Sequence, residues 1–412
     1  MNLRAFTAAL ASGLVLAGCI TAPRLDTPPA ASPSATPEGF SRPIRTYALD
    51  LEFFRSNIDQ STIGVRAASD GSTDILALSG GGAGGAFGAG VLVGLTNART
   101  RPRYELVTGV STGALIAPFA FLGPDWDGKL TEAYRGEATD GLLKSRGLGA
   151  LFGVGIFEGI PLRRLVERFV TDELVTAIAA EAESGRMLLV ATTNLDREET
   201  VIWNMGAIAV QSRDGAEGLH RARELFRDVL VASASVPGVF PPVMIDVKDG
   251  EKLFEEMHVD GGATTPFFLA PDIAIIMGYA PETLRGANVY VIINGQASSP
   301  PRSTLNNTVD IAARSFTAVL NHMTRTRLAQ TNVFASRNGM SFRFTTIPHD
   351  VAFGGSLAFD QANMRAIFDY GMRCATHGRV WVTSEQALAY SQAVLPEQTD
   401  PAHANCPLLV ED

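Results

Sequence analysis

Along the chain, short apolar runs closed by glycine alternate with longer stretches in which apolar residues recur at helical spacing. Ile75-Leu76-Ala77-Leu78 predicts a short strand, and Ala86–Leu95 then predicts a helix. Tyr104–Thr108 repeats the strand pattern and Ala114–Leu122 the helical one, while Met187–Thr193 and Val289–Ile293 predict further strands. These runs are apolar without alternation, as suits strands covered on both faces. Longer helical patterns occupy roughly 306–335 and 358–375, the second bringing Phe359, Met364, Ile367, Phe368 and Met372 toward one side. Strand–helix alternation of this kind predicts an α/β fold with a mainly parallel central sheet flanked by helices. No internal repeat is visible, and nothing near the C-terminus alternates regularly enough for a membrane barrel.

The beginning of the chain departs from this pattern. Arg4 precedes the apolar stretch Ala5–Leu16, which falls short of the ~20 residues that span a bilayer, so residues 1–18 read as an export signal. Leu16-Ala17-Gly18-Cys19 resembles the bacterial lipobox. That resemblance implies cleavage before Cys19, acylation of its thiol and a membrane held by the lipid anchor; an ordinary secretory signal with an incidental cysteine is the alternative. Ile20 stands where an Asp would imply inner-membrane retention, so the expected place is the outer membrane. Six prolines between residues 21 and 43 make 19–44 an expected extended tether, with 45–390 as the folded domain and 391–412 as a tail. Beyond Cys19 there remain only Cys374 and Cys406; export permits a disulfide between them, and coincidence accounts for the pair equally well.

Composition narrows the function. With 46% hydrophobic residues in 412, the chain can bury a large core, and a formal charge of −9 argues against nucleic acid as a partner. No clustered His/Cys set suggests a metal, and no cofactor is implied.

The glycines gather where chemistry needs room. Gly80-Gly81-Gly82-Ala83-Gly84-Gly85 joins the first predicted strand to its helix, a place where backbone N–H groups and the helix dipole receive negative charge. The spacing Gly80-x-Gly82-x-x-Gly85 also satisfies a dinucleotide fingerprint, but Glu105, at the right distance, sits at the start of its strand and not at the end. Gly109-Val110-Ser111-Thr112-Gly113 matches G-x-S-x-G between a predicted strand and helix, the sharp turn that lifts a serine hydroxyl clear of the backbone. No histidine sits in a glycine-flanked loop; His258 shares a strand face with Asp260 by period two and reads as a polar strand residue. Asp260-Gly261-Gly262 places a carboxylate at a strand end, although alone it is also an ordinary turn.

In this order the three motifs resemble the patatin-like phospholipase family, and Ala232–Pro242 resembles its stretch ahead of the aspartate; the likeness covers roughly residues 74–270. It implies a three-layer α/β architecture and a Ser111–Asp260 dyad acting through an acyl-serine. The ester oxygen would be held by the N–H groups of Gly81, Gly82 and Ala83. The substrate would be a membrane lipid or other acyl ester. An acyltransferase with the same acyl-serine and a non-catalytic lipid-binding lipoprotein are the alternatives. The sequence departs from the family at Gly84, where Arg or Lys is usual. Phe119, Phe121, Phe152 and Phe157 are candidates to border an acyl cleft, with plain core as the competing reading.

Overall fold

The structure, a computed structural model, describes residues 24–29, 35–40, 44–50, 66–68, 71–136, 138, 141–144, 156–270, 272–278, 280, 282–297, 303–383, 385–386 and 398–406. The expected export signal, Cys19 and Phe152 lie outside these residues, as does the expected tail apart from 398–406.

In chain order the strands are β1 (Thr36–Pro37), β2 (Arg45–Tyr47), β3 (Asp74–Leu78), β4 (Leu106–Val110), β5 (Met187–Asn194), β6 (Glu199–Asn204), β7 (Val243–Asp249), β8 (Lys252–Asp260), β9 (Asn288–Ile293) and β10 (Ser341–Thr346). The helices are α1 (Gly85–Asn97), α2 (Thr112–Leu122), α3 (Asp127–Arg135), α4 (Ile160–Phe169), α5 (Asp172–Glu183), α6 (Met205–Val210), α7 (Gly215–Ser233), α8 (Asp272–Met277), α9 (Thr308–Arg337) and α10 (Gln361–Thr376). Strands β5-β4-β3-β9-β10 form the parallel centre of the sheet. Alternate residues of the central strands enter separate cores: Leu76 and Leu78 of β3 join the layer of α1, α2, α4, α5, α7 and α10, while Ile75 and Ala77 join the layer of α9. Each such Leu or Ile side chain taken out of water contributes about 1.5–3 kcal/mol, so the sheet is held from both faces. The architecture is the helix-flanked, mainly parallel sheet that strand–helix alternation predicts, in the three layers that the resemblance implies.

Two features differ from the sequence expectation. The first is an antiparallel extension: β6 and β2 continue one edge of β5, and β8, β7 and β1 continue the other. The second concerns the proline-rich stretch, whose described parts lie on the domain instead of forming a free tether. Ala35, Phe40 and Ile44 are buried, β1 pairs with β7, and Arg24 grips Asp196 through two bonds of 2.8 and 2.7 Å. Apolar residues between the prolines supply the burial, and Pro37 sits on an edge strand, where its missing N–H is tolerated.

The edge of β5 sets the site. Its first five residues pair with β4, running parallel and ending at Val110 opposite Ala191. Its last three pair along the same edge with β8, running antiparallel and ending at Asp260 opposite Thr192. Two strands therefore arrive head-on at neighbouring positions of a third. The residue leaving one of them and the last residue of the other must meet.

At the far end of the chain, Cys374 of α10 and Cys406 form a disulfide. The 398–406 segment is further held by bonds from Tyr370 Oη to the Asn405 carbonyl (3.0 Å) and from the Arg373 guanidinium to the carbonyls of Pro401 and Ala404 (2.9 Å each). Ala352 N–H donates to the Thr399 carbonyl at 2.8 Å, so the segment in turn holds the loop after β10.

Candidate active site

Ser111 lies between β4 and α2 with φ 56° and ψ −127°, a conformation an L-residue adopts only under constraint, at about 1–3 kcal/mol. The constraint is visible: its N–H donates to Ser233 Oγ at 3.0 Å, and that hydroxyl donates to the Ala191 carbonyl at 2.7 Å. Gly113 packs where a Cβ would overlap the carbonyls of Leu78 and Ser79, which explains a glycine two residues after the serine. Gly109 is the penultimate residue of β4, paired with Val190.

Ser111 Oγ donates to Asp260 Oδ2 at 2.5 Å, and the other carboxylate oxygen accepts Gly262 N–H at 2.7 Å. The Asp260 N–H donates to the Ser235 carbonyl at 2.9 Å, so the end of α7 braces both residues. Gly261 opens the short turn after Asp260 and lies against the Ala191 carbonyl. Burial raises the Asp260 carboxyl to about 7, against the opposing pull of its bonds from Ser111 and Gly262. A carboxylate with that value is a competent base near neutral pH, as one near 3.9 would not be.

The glycine loop crosses directly over the serine: a Cβ at Gly80 would stand 3.2 Å from Ser111 Cβ, and Gly80 N–H is fixed to the Pro266 carbonyl at 3.0 Å. Gly81 and Gly82 have φ of 155° and 57°, and their N–H groups have no acceptor among the described residues. Ala83 differs from the expectation. Its N–H donates to the Ser356 carbonyl at 2.9 Å, so it does not complete a set of three free donors. The chain from Phe353 to Leu357 packs onto the loop and takes this group, a contact no local pattern could reveal. Gly85 begins α1, whose N-terminus points into the loop.

Gly84 now has a physical reason. It is buried, and a Cβ there would overlap the Asn294 carbonyl and touch the Phe353 ring at 3.1 Å. Asn294 is itself fixed, its N–H on Ser79 Oγ at 2.8 Å and its Nδ2 on the Ser79 carbonyl at 2.6 Å.

His258 takes no part in the pair. Its Nδ1 bonds Thr192 Oγ1 at 2.9 Å and its Nε2 bonds Glu256 at 3.1 Å, in a wholly buried place where desolvation lowers its pKa. Burial pushes Glu256 up, but His258 and Arg45 outweigh it and hold the carboxyl at about 2. Glu105 accepts Asp74 N–H at 2.7 Å at the start of β4, away from the glycine loop, which removes the dinucleotide reading. No group of three or more His, Cys, Asp or Glu side chains converges on a metal position among the described residues.

Ser111, Asp260 and the loop open into a cleft of about 920 Å³. Phe119 lines it, Phe121 is in the core, and Phe157 packs on Phe240 with ring centroids 6.3 Å apart. A buried serine–carboxylate pair under free N–H donors, beside an apolar cleft, can hold and attack an acyl ester.

Comparison with known proteins agrees with this geometry. The patatin-like phospholipase family model matches residues 76–271, which include the end of β3, the glycine loop, Ser111 and Asp260. No curated protein matches the sequence. Among solved structures, VipD from Legionella pneumophila aligns over 76% of this chain and 69% of its own, at 10% identity and a TM-score of 0.29, too distant a likeness to carry an argument.

Proposed function

Residues 76–271 are a patatin-like phospholipase domain, and from that premise we propose that the protein hydrolyses acyl esters of lipids through Ser111 and Asp260. Ser111 Oγ attacks the ester carbonyl carbon as its proton passes to Asp260. The oxyanion that forms takes hydrogen bonds from Gly81 and Gly82 N–H, which are positioned before the reaction and need no rearrangement. The bond to the alcohol oxygen then breaks, the alcohol leaves with the proton from Asp260, and the acyl group stays on Ser111. Water attacks this acyl-serine with Asp260 again accepting the proton, releasing the fatty acid and restoring the hydroxyl. The positive helix end at α2 favours the negative charge that builds at Ser111.

The observation that carries this reading is the 2.5 Å bond between a strained serine and a carboxyl raised to about 7. Both properties cost stability, and both are what an attacking serine and its base require. Acylation of Cys19 would bring the domain to a bilayer. With Arg24 clamped on Asp196, only the chain from Cys19 to Arg24 would span the gap, a reach of at most roughly 18 Å. Such closeness raises the local concentration of membrane lipid. The test is hydrolysis of a short-chain phospholipid by wild type, Ser111→Ala and Asp260→Asn, each confirmed as folded. Loss of turnover in both variants is expected; turnover by Ser111→Ala at the wild-type rate would overturn the proposal.

A further inference from the structure

The cleft has two unlike walls, and they come from opposite faces of the sheet. From the side of α2, α4 and α7 it is lined by Leu115, Phe119, Leu162, Val166, Phe169 and Leu230. From the other side, α9, whose Phe334 and Ala335 belong to the opposite core, contributes Arg314, Thr317, Leu320, Asn321 and Thr324. Spacings of three and four residues put Arg314, Thr317, Asn321 and Thr324 in one stripe along that helix. Ser111, directly after β4, lines the same cleft as both walls. An ester whose carbonyl carbon lies on Ser111 with its acyl chain against the apolar wall must direct its alcohol portion along α9.

The charge in the cleft is equally one-sided. Among the described lining residues, Asp260 and Arg314 alone are of a charged type. Arg314 is half-buried and makes no ion pair or hydrogen bond with any described residue. Interior guanidinium groups normally bind a carboxylate, a phosphate or a carbonyl, because unpaired donors beside apolar surface are costly. One held free in a substrate cleft is a site awaiting an anion. Guanidinium geometry matches the paired oxygens of a phosphate, and the neighbouring hydroxyl and amide side chains suit the polar atoms around it.

We propose that Arg314 is the specificity-determining residue of this cleft, selecting esters whose alcohol portion carries a phosphate; this rests on the acyl-ester reading above. α9 lies beyond the stretch that the family model matches, so the selecting wall belongs to this chain's own C-terminal part.

The test uses the full chain and two monomeric substrates with the same acyl groups, dihexanoylphosphatidylglycerol and dihexanoylglycerol, below their micelle concentrations. What is measured is the ratio of kcat/KM for the phosphate ester to that for the neutral one. Wild type is expected to favour the phosphate ester, and Arg314→Gln to lower the ratio about tenfold to a hundredfold, the range for a charge-assisted hydrogen bond. The loss should appear mostly in KM, since the contact is present before and during reaction. Arg314→Lys should retain part of the preference. Added salt should reduce it in wild type, a measurement that needs no variant to fold. A ratio unchanged by Arg314→Gln, or unaffected by salt, overturns the inference. So does a wild-type preference for the neutral ester, which would leave the hydrolase reading standing. Failure to cleave either ester, with no covalent adduct at Ser111, would overturn both.

Discussion

Asp260 should be a burden on the fold that its function requires, and the Asp260→Asn variant measures the burden. The carboxyl is moved from its ordinary 3.8 to about 7 by burial, so folding favours its protonated form. At about 1.36 kcal/mol per unit, the shift amounts to about 4 kcal/mol between the two protonation states. The sign follows from the direction of the shift. Stabilisation by the neutral form is fully present below about pH 3.8 and is lost progressively as pH rises to about 7; above that the buried anion carries the whole penalty. Asparagine has the same shape, keeps an acceptor for Gly262 N–H and can donate to Ser111 Oγ, yet never ionises. The variant should therefore be more stable than wild type by about 4 kcal/mol at pH 8, by about 2 kcal/mol at pH 5, and indistinguishable near pH 3. For a domain of roughly 350 residues, whose unfolding entropy is about 0.7 kcal/mol/K, the gain at pH 8 is a rise in Tm of about 5–6 °C. Scanning calorimetry of both proteins across that range reads the difference directly, and comparison at each pH cancels the titration of all other groups. Equal stability at pH 8, or a gain that does not vary with pH, would refute the claim that Asp260 is a desolvated carboxylate.

Three further outcomes follow from the packing. Ser233→Ala leaves the Ser111 N–H without its acceptor and removes the hydroxyl that donates to the Ala191 carbonyl, so stability should fall by about 2–4 kcal/mol, about 3–6 °C in Tm, and kcat with it; unchanged kcat would show that the hydroxyl does not hold the elbow. Gly84→Ala should cost about 1–3 kcal/mol by overpacking against Asn294 and Phe353, and Gly84→Arg more, because its charge must also be desolvated; a Tm equal to wild type in Gly84→Arg would refute this fit. Reduction of Cys374–Cys406 should lower stability by about 2–4 kcal/mol and release the 398–406 segment that holds the 348–352 loop, which native-state hydrogen exchange would register as lost protection at Ala352; unchanged protection would sink that coupling.

The site was largely legible because its chemistry needs residue types that stand out locally. A serine between two glycines after an apolar run, and an aspartate before two more, are determined by space at a strand end, and space leaves a mark on sequence. The parallel centre was legible for a similar reason: strands buried on both faces are continuous apolar runs. β4 ends two residues later than its apolar run suggests because Gly109 and Val110 still pair with β5. Less was visible where distant segments meet. β7 and β8 alternate in burial, but β8 buries the polar Glu256 and His258 where apolar residues would mark the period, and so carries no strong hydropathy signal. Nothing around Ala83 indicates that Ser356, 273 positions on, takes its N–H. Arg314 is one arginine on a long helix, and only the fold shows that it lines the same cleft as the serine. The proline-rich segment read as a tether because composition predicts solvation, whereas Phe40 and Ile44 each find a specific place in the core.

The central claim is that Asp260 activates Ser111. Its most direct test is the rate of fluorophosphonate labelling of wild type and Asp260→Asn from about pH 5 to 9, with the modified residue mapped by peptide mass spectrometry. A single adduct on Ser111 is expected, its rate falling about tenfold per pH unit below about 7 and reaching a plateau above. Asp260→Asn should label about 10²–10⁴ times more slowly at the plateau. Labelling at another residue, or at Ser111 with a rate indifferent to both pH and Asp260, would contradict the account.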